Sequence, residues 1–521
     1  MVELAPLASS PEVTAADPVR AEARRPAARQ DQVARWMVPI VPALAAFLIA
    51  LYGVDRRQLW RDEIATWAAS TKSLEGLRGL VEVTDAVIAP YYLLMHGWIA
   101  VFGESEASLR MPSVLAVALT ASLAAVIGRK LFDPTTGLLA GLLVAVMPTI
   151  SRYAQETRPY ALAAAAVALA TLLLLRATER PTWLRWLAYA LVVAAAGLLH
   201  MVALLLLPAH LVYVLSLRQK KVIVRWFLGA TAGVIPVLPL AWKGSEQAQQ
   251  VSWIPEATWE STGNEIVRVT GSVTVSALIV GLALLGAVTL GRRGALLGTW
   301  AVAPFYVLLL ISPVAALLIH RYVLFTLPAW CLLAVAAVAR HVQPAPDTAT
   351  SPAPDTATSP APGAATAPWR RRVVPVMLVL LCAAFALPTH VENRGNVVPG
   401  EPDLRGAVAV LATDATVGDA LGIHAAYASR LQDGVNYYLR RTAGPRLDTV
   451  FTAWPGGVPT YAQTCRNGEC LSSAKRLWLI SGPTQVDLHP SLKPQLAGFE
   501  QARVVQLTGV TVSLWLPTGR V

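Results

Sequence analysis

Long apolar blocks limit what this chain can become more than any motif does. They lie at residues 36 to 54, 110 to 128, 136 to 151, 159 to 176, 184 to 199, 202 to 217, 222 to 242, 272 to 290, 295 to 312, 321 to 339 and 372 to 388, and none contains Asp or Glu. Blocks of about 15 to 20 residues cross a hydrocarbon core about 30 Å thick as helices, whereas a membrane barrel would need short alternating strands. Only 14% of the 521 residues are charged, against roughly 25% in an ordinary soluble domain. The expectation is a polytopic α-helical membrane protein with about eleven transmembrane helices. The net charge of +11 does not call for a nucleic acid, because the basic residues sit in loops between apolar blocks, where they act as topology signals.

Threading the blocks from a cytoplasmic N-terminus puts Arg129/Lys130, Arg176/Arg180/Arg185, Arg218/Lys220/Lys221/Arg225, Arg292/Arg293 and Arg370 to Arg372 all on the cytoplasmic side, as the positive-inside rule asks. Residues 90 to 103 are apolar enough to tempt a crossing, yet a crossing there would invert every later loop. They are expected as an interfacial or re-entrant helix on the outer face. Residues 1 to 35 read as a disordered cytoplasmic leader before an uncleaved first helix. Residues 36 to 340 form the main transmembrane module, with an outer loop at 55 to 109. The tandem PAPDTATS at 344 to 359 marks residues 341 to 371 as a flexible cytoplasmic linker. The last helix, 372 to 388, leads into a small extracytoplasmic α/β domain at 389 to 521, with strands expected at Val408 to Leu411, Arg476 to Ile480 and Val504 to Leu516 and a helix at Ala425 to Arg441. There Cys465 and Cys470, in an oxidising compartment, are expected to close a short disulfide loop.

The carboxylates discriminate between functions. The outer loop carries Asp55, Asp62, Glu63, Glu75, Glu82, Asp85, Glu104 and Glu106, whereas the spans carry none. An ion-coupled transporter usually needs ionisable groups near the midplane, so a lipid or polysaccharide transporter is the weaker reading; His210 is the one mid-span titratable candidate. Trp60-Arg61-Asp62-Glu63 sets adjacent acids at the mouth of an apolar bundle. A carboxylate there can take the proton of an acceptor hydroxyl while the helices hold a lipid-linked donor; the alternative is a solvated loop with an aromatic belt. Arg152 and Arg158, in Ser151 to Tyr160, and Arg321 with Tyr322 fall at outer helix ends, against the usual bias. Binding a phosphate would explain them, and so would a cap such as an Arg158–Glu156 pair.

These pieces together resemble a known family. Trp-Arg-Asp-Glu at 60 to 63, Asp85 with Pro90 to Trp98, Phe102 to Glu106 leading to Leu109-Arg110-Met111-Pro112-Ser113, Arg152 to Tyr160, and Arg321-Tyr322 before Pro328 occur in order. The chain is similar over residues 36 to 340 to GT-C glycosyltransferases of the family 39 type, related to protein mannosyltransferases and lipid A aminoarabinose transferases. The resemblance implies transfer of a sugar, such as mannose or another hexose or pentose, from a polyprenyl-phosphate carrier to an extracytoplasmic glycan, lipid or protein, with inversion. It puts the essential acid on Asp62, with Glu63 beside it, and a second loop acid on Asp85. In some relatives such acids hold a divalent metal, which makes Asp62 and Asp85 the metal candidates. Relatives commonly read Asp-x-His-Pro-Pro where this chain has Asp85-Ala86-Val87-Ile88-Ala89-Pro90, so Val87 replaces one donor. A non-catalytic membrane subunit that displays its C-terminal domain is the remaining alternative.

Overall fold

The protein is seen in a computed structural model, which describes residues 36–341, 370–424, 428–453, 460–462, 465, 471, 474–482, 496 and 498–518. The leader and the octapeptide linker lie outside the described residues.

Six helices are long and apolar enough to cross a membrane: Glu106–Leu131, Tyr160–Glu179, Lys220–Glu246, Gly291–Ile311, His320–His341 and Val373–Glu392. Two bent pairs, Pro134–Val146 with Pro148–Ala154 and Trp259–Thr270 with Val273–Thr289, raise this to eight if each is one span. Trp36–Leu51, Trp183–Leu199 and Met201–Ser216 are shorter apolar helices that coincide with the other expected spans. The bends follow from sequence. Pro148 disfavours helical geometry at the residue before it, and Met147 is extended (φ −68°, ψ 126°), so the helix turns by 62°. Gly271 ends the Trp259–Thr270 helix in the left-handed region (φ 101°), which glycine adopts without a Cβ penalty.

The segment set aside as non-crossing forms the helix Ala89–Phe102, packed against Arg61–Ser70, Glu106–Leu131 and Trp183–Leu199. Residues 243 to 271, between two of the expected spans, are partly helical: one helix runs to Glu246 and another spans Trp259–Thr270. Inside the bundle His210 is buried, with Nε2 3.1 Å from Thr171 Oγ1 and Nδ1 3.0 Å from the Tyr189 hydroxyl, which accepts from Trp226 Nε1 at 2.9 Å. Both ring nitrogens are partnered, so the histidine closes a packing network among four helices.

The C-terminal region is built on a six-stranded sheet in the order β3-β2-β1-β4-β6-β5. The strands are β1 (Ala420–His424), β2 (Thr449–Ala453), β3 (Thr460–Tyr461), β4 (Leu477–Ser481), β5 (Phe499–Leu507) and β6 (Val510–Pro517). β1 runs parallel to β2 and β4, while β3, β5 and β6 pair antiparallel. The expected strand at 476 to 480 is β4, and the stretch 504 to 516 is the later part of a hairpin. The expected helix is present as Ala428–Leu439. Val408 to Leu411 corrects the expectation, since they belong to the helix Leu404–Asp414. Asp403 caps its first turn by accepting from Gly406 N, and Leu404, Ala407, Val408 and Leu411 are its buried residues. That spacing is helical rather than alternating, and it outweighs the β-branched content. Cys465 is disulfide-bonded; its expected partner Cys470 lies outside the described residues. Cys331 and Cys382 are free and buried.

Candidate active site

The helix Arg61–Ser70 opens directly after Trp60 and carries Asp62 and Glu63 in its first turn, where the helix dipole favours negative charge. The two acids have opposite surroundings. Glu63 is 1% exposed and meets the fully buried Arg110 in a fork, Nη2 to Oε2 at 2.7 Å and Nε to Oε1 at 2.9 Å. Its Oε1 also accepts from Thr157 N at 2.9 Å and from Thr157 Oγ1 at 3.2 Å. Arg110 directs its remaining hydrogens to the carbonyls of Val54, Arg57 and Gln58. These bonds fasten this helix to Glu106–Leu131 and to the turn 155 to 159.

Asp62, one residue earlier, keeps 20% of its side chain exposed and has one ion pair among the described residues, with Arg321 Nη1 at 4.0 Å. Arg321 lies on the 3₁₀ turn His320–Thr326 and is sandwiched by Trp60 and Trp253, its guanidinium carbon 5.8 and 5.1 Å from their ring centres. Arg158 approaches Asp62 from the other side, with Nη1 3.5 Å from its carbonyl oxygen and 3.4 Å from Thr66 Oγ1. Burial alone would lower the Arg158 pKa, but Tyr160, Asp62, Tyr92 and Asp85 outweigh it and hold the group well above its usual value. Among the described residues, Arg158 Nε and Arg321 Nε are both buried without a hydrogen-bond partner. Two fixed cations with free donors flank one partly exposed carboxylate, an arrangement that suits an anion delivered next to a base.

Tyr322, next to Arg321, meets His200 edge-on (ring centres 4.9 Å apart) and Tyr160 at a tilt (6.0 Å). Burial pushes His200 down to about 4, so it adds no charge there. Arg152 ends the short helix Pro148–Ala154, and its charge is felt by Glu156 and by Arg57. Among the described residues its side chain makes no ion pair or hydrogen bond. Asp85 stands in the left-handed region at φ 58°, which aspartate tolerates better than most residues. Gln250 Oε1 accepts from its N–H at 3.1 Å, and its Oδ2 accepts from the Tyr92 hydroxyl at 3.0 Å.

The donor set does not form a metal cage. Among the described residues no three His, Cys, Asp or Glu side chains gather as a metal group, the Asp85 carboxylate is engaged by Tyr92, and Val87 occupies the expected histidine position.

Arg110, Thr157 and Glu156 fall within the quoted motifs, but motif reading assigned them no role at the site. Arg110 begins an expected span, and nothing in its spacing reveals a partner 47 positions upstream. Glu156 is not paired with Arg158. It is buried with Oε1 unpartnered, and desolvation, opposed by Arg152 and reinforced by Glu63, raises its pKa to about 7.

Residues 89–242 match the family model for dolichyl-phosphate-mannose-protein mannosyltransferase. No curated protein matches the chain in sequence. Among solved structures, ArnT from Cupriavidus metallidurans in the apo state superposes with a TM-score of 0.55 at 14% identity, covering 93% of this chain and 98% of that one. ArnT from the same organism bound to undecaprenyl phosphate superposes with a TM-score of 0.53 at 13% identity, covering 91% and 97%. At these identities the likeness shows the fold, and it extends over nearly the whole of both chains. The ordered motifs, the family match over the middle of the chain and the superposition agree: this is a membrane protein of the GT-C fold.

Proposed function

We propose that the protein is a glycosyltransferase that moves a sugar from a polyprenyl-phosphate carrier to an acceptor at the membrane face bearing Asp62. The observation that carries the reading is Asp62, partly exposed and flanked by two arginines whose Nε donors are free. Asp62 takes the acceptor hydroxyl proton as the new C1–O bond forms, and the C1–O bond to the carrier phosphate breaks on the opposite face. Arg158 and Arg321 receive the departing phosphate charge. Glu63 serves as a positioning residue that holds the helix, Asp85 with Tyr92 shapes the neighbouring wall, and Arg152 adds positive field. A solved ArnT with this fold holds undecaprenyl phosphate, which supports a polyprenyl carrier. The positive-inside pattern supports a cytoplasmic N-terminus, an outward-facing site and an extracytoplasmic C-terminal domain in the cell membrane.

The test is to supply purified protein with candidate polyprenyl-phosphate sugars and to identify which glycan, glycolipid or glycoprotein loses a residue when the gene is deleted. Turnover that Asp62→Asn cuts by about 10² or more, without loss of membrane expression, supports the reading. Near-normal turnover in that variant would falsify it and favour a non-catalytic subunit.

A further inference from the structure

A pocket opens between the first helix and the helix Arg370–Glu392. It has a volume of about 660 Å³, within the roughly 300–1,000 Å³ typical of ligand sites. Its lower walls are Leu48 and Ile49 of Trp36–Leu51, Val146, and Ala383, Leu387 and Val391 of Arg370–Glu392. The upper rim is Tyr52, Arg56, His390 and Arg394. Among the described residues no carboxylate lines it.

The rim carries an electrostatic conflict. Arg56 and Arg394 share one aromatic ring, their guanidinium carbons 4.9 and 5.6 Å from the centre of Tyr52. Neither takes part in an ion pair among the described residues. Arg394 is locked in place, donating to the carbonyls of Ile49 (2.5 Å), Tyr52 (3.0 Å) and His390 (2.8 Å) and to Ser151 Oγ (2.9 Å). Burial and the Arg56 charge lower its pKa. All its partners are neutral, so among the described residues neither cation has an ionic partner. His390 Nε2 donates to the Val146 carbonyl at 3.0 Å, which fixes its ring along the rim. The Arg56 side chain is exposed and free to reach a ligand.

An apolar trough that ends in two uncompensated arginines matches one class of molecule available at a membrane surface, a lipid with an anionic headgroup. We propose that this groove binds an anionic phospholipid, its acyl chain along Leu48, Leu387 and Val391 and its phosphodiester between Arg56 and Arg394. A zwitterionic lipid places its own ammonium against the same two cations and gains less. Bound there, the lipid bridges the first helix to the helix that leads into the C-terminal domain. This site is separate from the carrier site at Arg158 and Arg321 and does not depend on the reaction assigned to it.

Native mass spectrometry of the full-length protein in detergent tests this, with phosphatidylglycerol and phosphatidylcholine of identical acyl chains added at equal concentration. The expected result is a one-to-one phosphatidylglycerol adduct that outlasts any phosphatidylcholine adduct. Arg56→Gln, at an exposed position, should reduce its occupancy about fivefold or more, as should Leu387→Trp, which fills the trough, while Arg292→Gln at the other end should not. Adding undecaprenyl phosphate should give a ternary species holding both lipids. Equal retention of the two phospholipids overturns the proposal, as does wild-type retention in both groove variants. Displacement of phosphatidylglycerol by undecaprenyl phosphate overturns it too, because the groove would then belong to the carrier path.

Discussion

Glu63 and Arg110, 47 positions apart in sequence, face each other in a two-pronged ion pair with side chains 1% and 0% exposed. Removing one partner of such a pair strands the other charge and costs roughly 3–5 kcal/mol. Glu63→Gln is therefore expected to lower the apparent unfolding temperature in detergent and reduce the yield of folded protein. Asp62→Asn should leave both unchanged and lose turnover. A Glu63→Gln protein that keeps wild-type thermal stability would show that the fork is dispensable.

Arg158→Lys keeps a positive charge but loses the planar fork that matches a phosphate. Donor dependence should shift to higher concentration while acceptor dependence stays put. Steady-state kinetics with each substrate varied in turn would read the two separately, and an unchanged donor dependence would remove Arg158 from phosphate binding.

Glu156 provides a pH signature. Burial raises its carboxyl from 4.5 to about 7, so the folded state holds the proton more tightly than the unfolded chain does. The contribution is complete below about pH 4.5 and is lost as pH rises through about 7, on the order of 3 kcal/mol for the full shift. Thermal midpoints from pH 5 to 8 should fall more steeply for wild type than for Glu156→Gln, which stays neutral throughout. Parallel curves would show that Glu156 is ionised in the folded protein.

In the C-terminal domain, Cys465 is disulfide-bonded, and the outward placement proposed for it predicts protection. In intact cells an impermeant maleimide should fail to label Cys465 and Cys470 until mild reduction from outside. Labelling that needs cell lysis would reverse the orientation and the side from which acceptors arrive.

Much of this architecture is legible in sequence because apolar length and helical period are local signals. Val408 to Leu411 was misleading for the opposite reason: two valines in a short apolar run, seen alone, outrank a period that becomes clear only when Leu404 and the Asp403 cap are included. At the site, Asp62, Arg158 and Arg321 stand out as charges where charge is unusual. The division of labour between Asp62 and Glu63 does not, because adjacent acids in one helical turn look alike until Arg110 and Thr157 arrive from distant segments. Glu156 was hidden similarly, since its exposure depends on what packs over it.

The C-terminal region also reaches the Asp62 helix. Tyr438 accepts from Leu59 N at 2.8 Å and donates to Glu106 at 2.5 Å, Arg405 pairs with Glu106, Arg441 pairs with Glu104, and Glu401 pairs with Arg61. Tyr438→Phe removes a hydroxyl that serves two partners at once and should cost roughly 1–3 kcal/mol of domain docking, visible as a lower unfolding midpoint together with reduced turnover.

These contacts span 299 to 379 positions of chain, and that separation sets an order of events during synthesis. The segment bearing Asp62 emerges from the ribosome long before residues 401 to 441, which brace it. A nascent chain can therefore have its first helices in the bilayer and still lack these contacts, so the proposed site is finished only once that distant segment has been made and docked.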